Sequence, residues 1–319
     1  MTAKEMTALL NKHGIKGQIK NVQKGLWVTR YKFLPEGSAR ISALVKQIAK
    51  VVGDWRIAVV PQTQFIGIEI SNYKRPKFDI KKLLSTPEFK KAKAFLPIAL
   101  GQDVVGKPVI RELVEVPHIL VAGRKGSGKT NFLNSIVMSL TNRLKPAQLQ
   151  IVSVSDIKLL EKVSRTLDER LKLMKSHRNE ISRLVRHMAL NTAGKFPYLV
   201  VLVDELSSLV EKDKKAVTAR LQNIAQKGRS VGIHLIVATE RPDAKIIPGT
   251  IKANFPTRVA FKMDSAKDSR TILGEPGAET LLPYGDMLFS EAGCQPIRVH
   301  AASVSKKEID NVLKPKARR

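Results

Sequence analysis

The eight residues Gly123-Arg-Lys-Gly-Ser-Gly-Lys-Thr130 constrain this chain more than any other stretch. They read G-x-x-x-x-G-K-[ST], a loop whose backbone N–H groups cradle phosphates. An apolar run, His118-Ile-Leu-Val-Ala122, precedes the loop and reads as a buried strand. An amphipathic run follows it and reads as a helix. A strand, a glycine loop and a helix N-terminus together make an anion site, because the helix start offers free N–H groups and a positive dipole end. That order commits the chain to an α/β fold. Gly123, Gly126, Ser127 and Gly128 would line the cradle, Lys129 would reach the β- and γ-phosphates, and Thr130 would offer its hydroxyl to Mg²⁺.

Charge narrows the partners. The 319 residues carry 56 Lys plus Arg against 28 Asp plus Glu, a formal net charge of +28. Such an excess repels itself unless a polyanion lies nearby. Nucleic acid is the first candidate and an anionic membrane surface the second, with a solvated basic surface as the plain alternative. The single cysteine, Cys294, supports neither a disulfide framework nor a zinc site, and reads as a buried or incidental thiol. No apolar run approaches the roughly 18 residues that span a bilayer, and Met1-Thr-Ala-Lys-Glu5 does not read as a signal peptide. A soluble, cytoplasmic protein without membrane insertion is expected.

Periodicity organises the rest. Residues 4–13 predict a short helix, Trp27–Leu34 a strand, and Ser38–Val52 a helix ended by Gly53. Residues 56–60 and 64–70 predict two further strands, and Lys77–Lys93 is basic and helical in parts, interrupted near Pro87. Leu96–Leu113 predicts a hairpin around Gly106. Beyond it, strands are expected at 119–122, 149–154, 198–203, 234–239, 258–262, 286–289 and 297–301, and helices at 129–143, 159–188, 214–227 and 305–313. This alternation predicts a parallel sheet with crossover helices. Three units are expected: a small α+β domain over 1–95, a larger domain carrying the phosphate loop over 96–304, and a C-terminal helix with a basic tail over 305–319.

A second half of the site follows the apolar run Leu199-Val-Val-Leu-Val203, which ends in Asp204-Glu205. A buried strand delivers its carboxyl end to the ligand crevice. Asp204 there suits Mg²⁺, and Glu205 suits polarisation of an attacking water. Thr239 closes another buried strand and reads either as a sensor of the terminal phosphate or as an ordinary strand-end threonine.

These elements occur with further motifs in a fixed order. Pro117-His-Ile-Leu-Val-Ala-Gly123, Val203-Asp-Glu205, Ala225-Gln-Lys-Gly-Arg-Ser-Val-Gly-Ile-His234, Ala238-Thr-Glu-Arg-Pro242, Ile251-Lys-Ala-Asn-Phe-Pro-Thr-Arg258, Asp268-Ser-Arg-Thr-Ile-Leu273 and Gly285-Asp-Met-Leu288 follow one another. The series resembles the motor of the FtsK/SpoIIIE family of double-stranded DNA translocases, from about Gly14 to about Val304. Trp27-Val-Thr-Arg30, Arg40-Ile-Ser42 and Ile66-Gly-Ile-Glu-Ile70 resemble the family's small domain more weakly. The resemblance implies a RecA-like P-loop ATPase domain beside a small N-terminal α+β domain. It implies a homohexameric ring with DNA in its channel and ATP with Mg²⁺ between subunits. Arg229 falls at the family's finger arginine, which reaches a neighbour's γ-phosphate; a helix-end arginine is the alternative. Arg241, Lys252, Lys267 and Arg270 fall on or near channel-facing loops, where phosphate contacts would hold DNA without reading its sequence.

The chain departs from the family pattern in places. Glu240 stands where many members have Gln, Gly228 where the stretch has Ala, and Asp156-Ile-Lys158 where the family has Asp-Pro-Lys. A compact motor core without membrane anchor or winged-helix module is expected. An ATP-driven double-stranded DNA translocase is the leading reading. A packaging or transfer ATPase docked to a portal or nuclease, and an ATP-gated clamp that does not move, remain open beside it.

Overall fold

The computed structural model describes residues 2–36, 43, 47–48, 50–51, 57–61, 65–72, 77–176, 196–292 and 294–313. The chain begins with α1 (Ala3–Lys12), whose free N–H groups are closed by a reciprocal cap between Thr2 and Glu5. Strands β1 (Gly17–Lys24), β2 (Val28–Pro35), β3 (Ile57–Pro61) and β4 (Ile66–Ser71) form an antiparallel sheet in the order β1-β2-β4-β3. Met6 and Leu10 of α1 pack on Phe33, Ile66 and Ile68 of this sheet. Of the helix expected at 38–52, residues 43, 47, 48, 50 and 51 are helical, and Ile48 joins the same core. Its remaining positions, like residues 177–195 and the tail 314–319, lie outside the described residues.

Two short helices, α2 (Ile80–Leu84) and α3 (Pro87–Lys90), follow, with Thr86 capping α3 and Pro87 in its first turn. The second sheet then takes β5 (Pro97–Asp103), β6 (Pro108–Glu112), β7 (His118–Ala122), β8 (Leu149–Ser153), β9 (Tyr198–Val203), β10 (Ile233–Thr239), β11 (Thr257–Phe261), β12 (Asp286–Ser290) and β13 (Ile297–His300). Among them lie α4 (Lys129–Arg143), α5 (Ile157–Ser176), α6 (Leu206–Lys227), α7 (Gly249–Ala253), α8 (Ala266–Leu273) and, last, α9 (Lys306–Leu313). The strand order is β6-β5-β13-β12-β11-β7-β10-β9-β8.

The expectation of a parallel sheet holds for one side of it only. From β11 to β8 all neighbours are parallel. From β11 to β6 all are antiparallel. For β12–β13 and β5–β6 the reason is local, since each pair has a short connection with no room for the crossover that a parallel pair requires. The connection from β11 to β12 is long and carries α8, and connection length does not explain the antiparallel pairing there. The helix expected from 214 starts earlier, at Leu206, and bends at Asp213, where the backbone leaves helical values. Asp213 caps the second part by accepting from the Ala216 N–H at 2.9 Å, which is why only that part had a visible start signal. Strand β1 and helices α7 and α8 were not expected at all. Cys294 is exposed rather than buried.

Alternation along the parallel strands feeds two cores. Ile119 and Val121 face Phe132, Ile136 and Leu140 of α4, while Leu120 and Ala122 face a second core built with Leu160, Leu209 and Leu221 of α5 and α6. Strands β7, β9 and β10 are thus buried on both faces, which accounts for their nearly unbroken apolar runs. Ile80, Leu83 and Phe89 pack on Ala99 and Ala302, so α2 and α3 belong to the packing of the large sheet. Ile309 of α9 joins the α4 core.

The amino ends of β7 and β10 carry two buried histidines that the sequence reading did not single out. His118 Nδ1 accepts from the Leu235 N–H at 3.1 Å, and His234 Nδ1 lies 3.2 Å from the Pro117 carbonyl. Burial pushes His118 down to about 4 and His234 to about 3, and the Arg229 charge adds to both. Both rings are neutral in the folded chain at pH values where the unfolded chain protonates them. Their stabilising contribution is therefore complete above about pH 6.5 and is lost as pH falls toward 4, by up to about 1.4 kcal/mol per pH unit for each histidine. Thermal melts from pH 7 to pH 4.5 should show this fall, and the variant with both histidines replaced by Asn should show a shallower one. An equal slope in that variant would assign the acid lability to other groups.

Candidate nucleotide site

The loop Gly123–Thr130 runs from the carboxyl end of β7 into α4. Gly128, at φ 119°, opens the helix, and a Cβ there would stand 2.8 Å from the Gly285 amide nitrogen. Only glycine fits that backbone and that approach. Ser127 is fully buried, and its Oγ finds no hydrogen-bond partner among the described residues. Lys129 is buried as well. Its Nζ donates to the Gly123 carbonyl at 2.8 Å and the Arg124 carbonyl at 3.1 Å, and lies 3.4 Å from Glu240 Oε1.

The expected second half of the site meets the first. Thr130 Oγ1 donates to Asp204 Oδ1 at 3.2 Å, across the gap between the ends of β7 and β9. Glu205 caps α6 and is held from several directions. Its Oε1 accepts from the Ser207 N–H at 3.0 Å, the Ser207 hydroxyl at 2.6 Å and the Thr239 hydroxyl at 3.0 Å. Its Oε2 accepts from the Glu240 N–H at 2.9 Å. Thr239, fully buried at the end of β10, is therefore a positioning group for Glu205. The carboxyl ends of β7, β9 and β10 thus bring together the glycine loop, a hydroxyl facing a carboxylate, and a second carboxylate in fixed orientation.

Comparison with known proteins places this arrangement. The family model for "FtsK/SpoIIIE family" matches residues 79–189 and 183–244, and that for "FtsK alpha domain" matches residues 1–72. The chain belongs to the FtsK/SpoIIIE family. A DNA translocase FtsK of Rickettsia typhi is 34% identical over 372 aligned residues, covering 97% of this chain and 50% of that protein. One of Brucella melitensis is 33% identical, covering 98% and 45%. The chain spans about half the length of these relatives. The conjugation coupling protein TcpA of pCW3, solved with ATPγS, shares the fold at a TM-score of 0.65 and 19% identity, with 98% of each chain covered. The cytoplasmic domain of the type VII secretion ATPase EccC of Thermomonospora curvata does so at 0.62 and 22%, covering 72% of this chain and 32% of that one. The fold is accordingly that of the RecA-like P-loop ATPases, with a small α+β portion before it.

In this FtsK/SpoIIIE-family chain the remaining expected residues are spread out. Arg229 is exposed in a single turn of 3₁₀ helix, Gly228–Val231, directly ahead of β10. That is the amino end of the parallel strands, opposite its own phosphate loop. The seven residues of β10 separate the two by about 20 Å. Gly228 has a packing reason: a Cβ there would meet the Ile233 carbonyl oxygen at 2.8 Å. Arg241 pairs with Glu211 at 2.7 Å on the surface. Lys252 reaches back to the Thr271 carbonyl at 3.3 Å and so ties α7 to α8. Lys267 and Arg270 stand exposed three residues apart on α8, and so share one of its faces.

The residues present fit a magnesium nucleotide. Among the described residues no cluster of three or more His, Cys, Asp or Glu side chains makes a metal site unaided. Mg²⁺ takes one or two protein ligands and completes its shell with phosphate oxygens and water. Thr130 and Asp204 would supply that hard-oxygen pair, and the buried Ser127 hydroxyl, without a partner among the described residues, would suit a further polar group. No helix among the described residues is long and apolar enough to cross a membrane.

Proposed function

We propose that this chain is an ATP-hydrolysing motor for double-stranded DNA that acts as a ring-shaped homohexamer around its track. The convergence of Lys129, Thr130, Asp204, Glu205 and Thr239 at the carboxyl ends of neighbouring strands carries the reading. Lys129 would hold the β- and γ-phosphates, and Thr130 and Asp204 the Mg²⁺, which neutralises charge developing on the phosphate oxygens. Glu205 would orient the attacking water. Arg229 would complete the site of a neighbouring chain, since it lies at the far end of the sheet from its own. The net charge of +28 suits a polyanionic track, and the relatives named DNA translocases support the same direction. Lys267 and Arg270 are the best placed of the DNA-contact candidates; Arg241 and Lys252 would first have to leave Glu211 and Thr271. Packing of α2 and α3 on the large sheet favours a junction between the two portions ahead of Phe78 rather than at residue 95.

One observation favours the clamp reading. Glu205 already accepts from four donors, three of them on Oε1, and Glu240 sits against Lys129, so Lys129 must leave Glu240 to meet a phosphate and only Oε2 of Glu205 has room to orient an attacking water without a shift. The deciding experiment is ATP-dependent displacement of a triplex-forming strand from linear duplex DNA. The wild-type chain should displace it, and Lys129→Ala should reduce both displacement and turnover by at least about 100-fold. Intact DNA binding with neither displacement nor DNA-stimulated turnover would sink the motor and leave the clamp.

A further inference from the structure

Among the described residues Tyr284 is the one non-glycine with a positive φ, at 67°. It is also 78% exposed, the most open of the large apolar side chains described. A tyrosine is disfavoured in that backbone region, and the surroundings must impose it. They do. Leu282 is buried against Trp27 and Val28, and its N–H donates to Asp286 Oδ2 at 2.8 Å. Lys262 Nζ holds the Leu281 carbonyl at 2.8 Å. The Gly285 N–H donates to the Ser127 carbonyl at 2.9 Å, inside the phosphate loop itself. Both flanks of Tyr284 are thus fixed, and the aromatic residue between them projects into solvent one residue from the cradle.

Sheet order says which part of a nucleotide that ring would meet. The phosphate loop follows β7. On one side of β7 lie β10 and β9, whose ends bring Thr239, Asp204 and Glu205. On the other side lie β11 and β12, and β12 runs antiparallel, so its start stands beside the loop. The terminal phosphate belongs with the carboxylates and Mg²⁺. The nucleoside must then extend to the opposite side, where Tyr284 stands. We propose that Tyr284 is the platform on which the nucleobase of the bound nucleotide stacks. Stacking needs a π-face and no hydrogen-bond pattern, so the platform favours purine over pyrimidine triphosphates by area and discriminates weakly between ATP and GTP. This rests on the nucleotide-site reading above.

Tyr284→Gly is the informative variant, because glycine adopts φ 67° without strain. Affinities for Mg-ATP and for Mg-tripolyphosphate, which has no base, would be measured by titration, with apo melting temperatures alongside. The glycine variant should bind ATP about ten-fold more weakly, bind tripolyphosphate within about two-fold of wild type, and melt no lower than wild type. Tyr284→Trp should restore ATP affinity. Equal losses for both ligands would make the residue a prop for the phosphate loop, and no loss for either would remove it from the site; each result overturns the platform. Lys129→Ala separates the two readings. If it binds ATP as wild type does, the nucleotide site itself is misplaced; if it does not, a failure of Tyr284→Gly concerns Tyr284 alone.

Discussion

Arg229→Ala is expected to lower ATP turnover by about three to five orders of magnitude while leaving ATP affinity nearly unchanged. An arginine supplied in trans stabilises charge that builds on the transferring phosphoryl group, and such residues contribute on that scale. The geometry separates turnover from binding, because Arg229 lies at the opposite end of the parallel strands from Lys129. It touches no part of its own cradle, so the variant keeps a complete phosphate loop. Mixing supplies the sharper result. Arg229→Ala chains and Lys129→Ala chains are each inactive on the proposed reading, yet a junction between the loop of the first and the arginine of the second is whole. Mixed in equal amounts, they should recover a measurable fraction of wild-type turnover. Full activity of Arg229→Ala alone, or no recovery on mixing two well-folded variants, would remove Arg229 from the reaction.

Arg298→Ala should be among the most destabilising single changes, at about 3–5 kcal/mol. Arg298 is buried between the two sheets and donates from Nε to Asp286 Oδ1 at 3.0 Å and from Nη2 to Asp286 Oδ2 at 2.5 Å. It also pairs with Glu69 of β4, which Arg30 of β2 holds from the other side with Nε at 2.7 Å. Burial alone would push the Asp286 carboxyl up, but the charge and hydrogen bonds of Arg298 outweigh it and hold the group below the usual range. Removing the guanidinium leaves Asp286 buried without its ion-pair partner and Glu69 with one partner fewer. Urea unfolding should show the loss, and adding Asp286→Asn and Glu69→Gln should recover part of it. A loss below about 1 kcal/mol would mean that water reaches the cluster and the pairs are individually weak.

Much of the nucleotide site was legible because its parts are contiguous. The cradle, Asp204-Glu205 and Thr239 each sit at the end of an apolar run, and a strand buried on both faces announces itself in sequence. The hairpin around Gly106 and the bounds of α4 were equally local. What escaped depends on partners distant in the chain. Strand β1, Gln-Ile-Lys-Asn-Val-Gln-Lys after Gly17, is polar, and a register shift between Ile19 and Asn21 breaks its alternation. It is a strand because β2 offers it an edge. Helix α8 did carry a signal: Ser265 caps it, accepting from the Asp268 N–H at 3.1 Å, and the Ser-x-x-Asp spacing is visible in sequence. Glu69 lies in Ile66-Gly-Ile-Glu-Ile70, where an isolated acid reads as a solvent-facing position; it is 1% exposed only because the second sheet covers it. No sequence pattern exposes the backbone of Tyr284, since its conformation is imposed by the buried residues on either side.

Strand β10 connects the two ends of this design. It is hydrogen-bonded along both edges, to β7 and to β9, and every one of its seven residues is buried. A strand so confined has no slack, because close-packed interiors move between discrete arrangements rather than deform by degrees. A rearrangement of Thr239 and Glu240 around a changing phosphate would not die out along it. It would tilt the body as a whole and displace the Arg229 turn at the far end. In a ring of such bodies, each nucleotide state would be relayed to the next chain as a mechanical angle, with the sheet acting as a crank rather than as a chain of messengers.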